Sequence, residues 1–101
     1  MVDREFFLGF IKIHILHHAA NAPIFGVEIA EELGRHGYVI SPGTLYPTLH
    51  RMEKESYLVS SSKVVGGKVR KYYSITTKGR QVLEDSKRKI RELVDEVVEE
   101  I

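Results

Sequence analysis

The side chains in this sequence that can do chemistry fall into two groups. The larger group is Ser41, Thr44, Tyr46, His50, Arg51 and Lys54, followed after a short gap by Lys68, Arg70 and Lys71. These are hydrogen-bond donors, acceptors and cations. No nucleophile–base pair, phosphate loop or paired acid site accompanies them, so their chemistry is non-covalent and suits a polyanion. The smaller group is His14, His17 and His18. His14 and His18 lie one helical turn apart with His17 beside them, a spacing that can bind zinc. No cysteine or carboxylate shares those turns, and one helix alone rarely completes a tetrahedral site. The expectation is therefore exposed or interface histidines, with no metal and no cofactor.

Charge is segregated along the chain. Residues 41–80 carry eight Lys/Arg against two Asp/Glu, or +6, between blocks of −2 (residues 1–40) and −3 (residues 81–101). The overall net charge of +1 conceals this footprint. At 101 residues the chain is read as one compact unit without cysteine, so a reducing compartment is allowed. The apolar run from Phe6 to Leu16 is too short for a membrane span and is broken by Lys12 and His14. Met1-Val2-Asp3-Arg4-Glu5 lacks the cationic start of a signal peptide. A cytoplasmic protein is expected.

The elements that must position these residues can be read in order. Residues 5–20 predict a helix whose apolar positions, Phe6, Phe7, Leu8, Phe10, Ile11, Ile13, Ile15 and Leu16, exceed one stripe. Such a helix packs against its own domain and against a second subunit. Pro23 ends it. A second helix over about 25–36 turns Val27, Ile29, Ala30 and Leu33 inward, and Gly37 sits where a left-handed residue often terminates a helix. Ser41 as N-cap and Pro42 as first helical residue start a third helix. Projected at about 100° per residue, Leu45, Leu49 and Met52 share an inner arc. Gly43, Pro47, His50 and Lys54 oppose them, with Thr44 and Arg51 on the shoulder. Pro47 removes one backbone bond inside this helix and should kink it. Tyr57–Val65 and Val69–Thr76 flank Gly66-Gly67-Lys68 as a hairpin, with Tyr73 in the core. Thr76 or Thr77 then caps a last helix running to the C-terminus. Its Leu83, Ile90 and Val97 recur at seven residues, and Leu93, Val94 and Ile101 widen the stripe. The fold class expected is mainly α with a small β-hairpin, a winged helix-turn-helix over residues 1–76 plus a C-terminal dimerisation helix over 77–101.

The residue strings are more specific than that outline. Phe25-Gly26-Val27-Glu28-Ile29, Ser41-Pro42-Gly43-Thr44-Leu45-Tyr46-Pro47-Thr48-Leu49-His50-Arg51-Met52-Glu53-Lys54, Gly66-Gly67 with Arg70-Lys71-Tyr72-Tyr73, and Thr76 with Gly79-Arg80 resemble the PadR family of bacterial and archaeal transcriptional regulators. The resemblance covers nearly the whole chain, and its length resembles the short subfamily with one C-terminal helix. It implies a homodimeric, ligand-responsive repressor in which each last helix packs on the partner's first helix. It also implies flat aromatic ligands at the dimer centre, against an aromatic of the last helix. That helix has no aromatic here, and Ile90 lies on its inward stripe. The family's Glu-Gly-Leu after the third helix is Glu55-Ser56-Tyr57, so a less relaxed C-terminal cap is expected.

On this reading Ser41, Thr44, Tyr46, Pro47, His50, Arg51 and Lys54 form the face toward double-stranded DNA. Gly67, Lys68, Arg70 and Lys71 form the wing, which reaches a phosphate or the adjacent minor groove. A palindromic operator would place its half-sites about 10 bp apart. The dimer interface is expected at Phe7, Phe10, Ile11, His14, Ile90, Val94 and Val97, and an effector pocket at Phe7, Ile11 and Ile90. Two other function classes compete: a winged-helix protein-interaction module without DNA binding, and a small metal-dependent enzyme built on the histidines. Steep salt dependence of DNA affinity separates the first reading from the protein-interaction module.

Overall fold

A computed structural model describes residues 3–100; Met1, Val2 and Ile101, and with them the ends of the N-terminal flank and of the heptad stripe, lie outside the described residues. The first helix, α1 (Arg4–Asn21), is capped by Asp3, whose carboxylate accepts from the Phe6 N–H at 3.1 Å. It has two apolar faces. Ile11, Ile15, Leu16 and Ala19 are buried in the core of this chain, while Phe6 and Phe10 stand exposed. Ile11 is 0% exposed, so its expected place in a dimer seam or effector pocket is corrected: it is a core residue of its own subunit.

A two-residue strand, β1 (Ile24–Phe25), follows Pro23, and α2 (Gly26–Arg35) starts at once. The Glu28 carboxylate accepts from the Phe25 N–H at 3.2 Å and closes the entry to α2. Ile29 and Leu33 are buried, but Val27 is 54% exposed, against the inward placement expected of it. As the second residue of α2, Val27 borders an open cleft rather than the core. Gly37 takes the left-handed conformation (φ 83°) after this helix.

α3 (Pro42–Lys54) runs unbroken through Pro47. Its N-cap differs from the expectation in one respect: the Ser41 side chain makes no capping bond to the backbone. The Ser41 carbonyl accepts from the Thr44 and Leu45 N–H groups at 3.0 and 2.9 Å, and the Ser41 hydroxyl pairs with Thr44 Oγ1. Leu45, Leu49 and Met52 are buried as projected, joined by Thr48, whose hydroxyl donates to the Thr44 carbonyl at 2.7 Å. Fully burying a leucine contributes on the order of 1.5–3 kcal/mol, so this arc fixes which side of α3 faces outward. Ser56 follows with φ 68°, a left-handed residue that is not glycine.

β2 (Leu58–Val65) and β3 (Lys68–Ile75) pair antiparallel from Leu58↔Ile75 to Val65↔Lys68. Gly66 and Gly67 join them at φ 57° and 78°, the two positive φ values that a tight hairpin turn needs. The sheet order is β1-β3-β2, with Ile24↔Tyr73 and Phe25↔Tyr72 pairing β1 to the middle strand. Tyr73 is buried, as expected. α4 (Thr77–Leu93) is capped by Thr76, whose hydroxyl oxygen accepts from the Gly79 N–H at 2.9 Å. Gly79 is buried against the Tyr57 carbonyl. Leu83 is the last buried apolar residue of α4. Beyond it the helix continues through a single π turn, Val94–Val98, closed by the Glu99 N–H on the Val94 carbonyl at 2.8 Å. This arm leaves the molecule elongated, 54 × 30 × 20 Å.

Candidate nucleic-acid interface

The outer face of α3 presents Ser41, Pro47, His50, Arg51 and Lys54 to solvent, with Thr44 half-buried and Tyr46 47% exposed. Neither His50 nor Arg51 turns inward. The α3 face meets the wing in one open cleft of about 510 Å³. Gly26, Val27 and Glu31 of α2, Tyr46 of α3, and Lys68, Arg70 and Lys71 of β3 line it, with Phe25 at its edge. The Tyr46 ring crosses the start of α2 so closely that a Cβ on Gly26 would lie 2.7 Å from it. β1 pairs only with Tyr72 and Tyr73, which leaves the Lys68–Lys71 edge of β3 open to this cleft.

The wing cations are not equivalent. Strand alternation puts Lys68, Arg70 and Tyr72 on one face and Lys71 and Tyr73 on the other. Lys71 lies toward α3, 3.2 Å from Glu53, and the Ser60 hydroxyl donates to the second carboxylate oxygen of Glu53. The Ser60 hydroxyl, aided by Lys71, holds the Glu53 carboxyl below its ordinary value, and the Glu53 carboxylate raises Lys71 above its own. Lys71 is thus engaged within the protein rather than standing free as the sequence suggested. Arg70 is half-buried with its guanidinium 4.5 Å from the Phe25 ring centre. Lys68 is exposed beside the turn, and Gly67 is exposed within it.

Two participants were missed. Lys63 stands opposite Arg70 in the register and lies over the Tyr72 ring at 5.4 Å; pairing outward from Gly66-Gly67 would have located it. Glu53 is the other: it lies 3.2 Å from Lys71, and nothing in the linear sequence points it there.

The residues expected at a dimer seam divide in two. Phe10, Ile90, Val94 and Val97 are exposed, the last at 64%. With Phe6, Leu93 and Val98 they make an uncovered apolar strip along α1 and the end of α4. Phe7 is half-buried and packs on Tyr38 with ring centres 5.3 Å apart. His14 is half-buried. Phe10, Ile13, His14, His17, Leu83, Lys87, Ile90 and Leu93 line an open apolar groove of about 460 Å³. The effector pocket expected from Phe7, Ile11 and Ile90 does not form within this chain: Ile11 is in the core, Phe7 faces Tyr38, and only Ile90 reaches the groove.

Known proteins share this arrangement. The sequence pattern of the transcriptional regulator PadR-like family matches residues 15–85. The chain is 48% identical to the transcriptional regulator Rv3488 of Mycobacterium tuberculosis over 95 residues, 94% of this chain and 89% of that protein. The chain belongs to the PadR-like family of transcriptional regulators. Membership places it among regulators of transcription rather than enzymes. A PadR family regulator from Eggerthella lenta superposes with a TM-score of 0.82 at 32% identity, covering 94% of this chain and 84% of that one. A PadR-like regulator from Bacillus cereus gives 0.82 at 33% identity, covering 90% of each chain. These PadR structures share the α+β winged-helix architecture. Among the described residues no helix is long and apolar enough to cross a membrane.

Proposed function

We propose that this PadR-like protein is a homodimeric, sequence-specific repressor that binds a palindromic operator in the cytoplasm and responds to a ligand. The observation that carries the DNA-binding part is the cleft in which Tyr46 of α3 meets Lys68 and Arg70 of the wing, with His50, Arg51 and Lys54 exposed beyond it. Thr44, His50 and Arg51 read base edges, and Ser41 with the Gly43 N–H at the start of α3 holds a phosphate. Tyr46 adds a hydroxyl at the edge, Pro47 shapes the outer face, and Lys54 and the wing grip the backbone. The exposed strip of Phe10, Ile90, Val94 and Val97 supports pairing of the α4 arm (residues 77–101) with α1 of a second subunit. A monomer rarely leaves so continuous an apolar surface in water. The groove at Ile90 then lies at the subunit boundary, where a ligand would act on the spacing of the two α3 helices.

Footprinting on promoter fragments tests this reading. The protein should protect two half-sites about 10 bp apart, and Arg51→Ala should cost about 1–3 kcal/mol and relax specificity at one position. Footprints unchanged by Arg51→Ala would remove α3 from the groove. Sedimentation should give a dimer, weakened by Ile90→Glu, which buries a charge in an apolar seam; a monomeric wild-type protein ends the dimer claim.

A further inference from the structure

The histidines of α1 gain a third partner through the fold. His36 is the C-cap residue of α2 and sits over α1 with its ring centre 4.8 Å from that of His14. His14, His18 and His36 each offer a ring nitrogen, and these nitrogens all lie within 4.8 Å of one another. His17 is not part of the group. We propose that His14, His18 and His36 form a binding site for one divalent transition-metal ion of the zinc, cobalt and nickel class.

Three observations carry the site. First, the three ligands come from two elements: two lie at one-turn spacing on α1 and the third at the end of α2, which supplies what a single helix cannot. Second, His18 Nε2 is buried without a hydrogen-bond partner. A buried imidazole nitrogen lacking a partner is costly, and a metal ion satisfies it. Third, the set is all nitrogen, which suits borderline transition metals and not calcium or magnesium.

The geometry also states what must move. Two nitrogens each about 2.0 Å from a tetrahedral zinc lie roughly 3.3 Å apart, closer than the widest separation here. The rings are now stacked, with interplanar angles of 12–28°, and must turn so that their lone pairs converge. The second side-chain torsion of histidine is broad, and His36 is exposed in a turn, so it can supply the closure. Three protein ligands leave a fourth position for water. An occupied site ties α1 to the segment that leads into α3. Only that consequence for DNA rests on the regulator reading; the binding itself does not.

The test uses the full chain purified without an affinity tag. Cobalt(II) titration should produce the intense visible absorption of a tetrahedral site and saturate at one ion per chain. Zinc should displace the cobalt and raise the melting temperature. His36→Ala should weaken zinc at least tenfold, since losing a ligand costs no less than losing a second-shell partner, and it should abolish the thermal shift. The His36 backbone conformation (φ −95°, ψ 11°) suits any residue, so this variant keeps the fold, and His14→Gln gives a second check. His17→Ala should bind as the wild type does. No bound ion, or equal affinity in the wild type and His36→Ala, overturns the site. Metal binding without any change in DNA affinity leaves the site standing and removes only its coupling to α3.

Discussion

The ion pair between Lys71 and Glu53 divides the wing into a cation available to DNA and one already engaged, and salt dependence can tell them apart. Each phosphate neutralised adds about 0.9 to the slope of log affinity against log salt. Lys68 is exposed beside the turn with no acid placed on it, whereas Lys71 lies 3.2 Å from Glu53. Lys68→Ala in a dimer with both wings engaged should therefore flatten the slope by about 1.8. Between 50 and 200 mM salt that amounts to roughly 12-fold less loss of affinity. One engaged wing would give about 0.9 and roughly 3.5-fold, so the same number reports how many wings touch. Lys71→Ala should leave the slope nearly unchanged. Glu53→Gln frees Lys71 and removes an anion beside the proposed DNA face, so it should steepen the slope. The assay is fluorescence anisotropy of a labelled random-sequence duplex, because the electrostatic part of binding needs no operator. Circular dichroism verifies the fold of each variant. If Lys71→Ala flattens the slope as much as Lys68→Ala, the ion pair does not withhold Lys71. If neither variant changes the slope, the wing does not reach phosphate.

Three stability predictions follow from local geometry. Ser56 holds φ 68°, which costs a non-glycine residue roughly 1–2 kcal/mol; Ser56→Gly should recover about 0.5–1 kcal/mol after the entropy of the more flexible unfolded chain, read by urea unfolding. Gly79→Ala should destabilise by about 3 kcal/mol or more, because its Cβ would lie 2.3 Å from the Tyr57 carbonyl oxygen, a backbone atom that cannot swing away; unfolding as late as the wild type would refute the packing of α4 on the sheet. Glu53 has a folded pKa below its unfolded value, so its contribution is full above about pH 4.3 and is lost as pH falls through the folded value. Glu53→Gln should remove that part of the acid sensitivity, less than about 1 kcal/mol for a partly solvated pair, in unfolding curves compared at neutral and acidic pH.

What the sequence disclosed, and what it withheld, follows from which interactions are local. α3 was legible because Ser41-Pro42 marks its start and Leu45, Leu49 and Met52 repeat at helical spacing; both signals lie within one segment. The wing was legible because Gly66-Gly67 fixes the turn, and the turn fixes the register. β1 was not legible: two residues cannot show alternation, and Ile24–Phe25 is a strand only because Tyr72 and Tyr73 pair with it. The surplus of apolar residues on α1 was visible, but not which face the core would take, so Ile11 was assigned to the seam when Phe6 and Phe10 are the exposed ones. Glu53 and His36 share the same cause. Each matters through a residue distant in sequence, Lys71 for one and His14 for the other, and helical projection has no term for the approach of a second element. The sequence thus located the elements and their outward faces, while the pairing of side chains between elements, which decides what those faces can hold, emerged only when α2 was laid on α1 and the wing against α3.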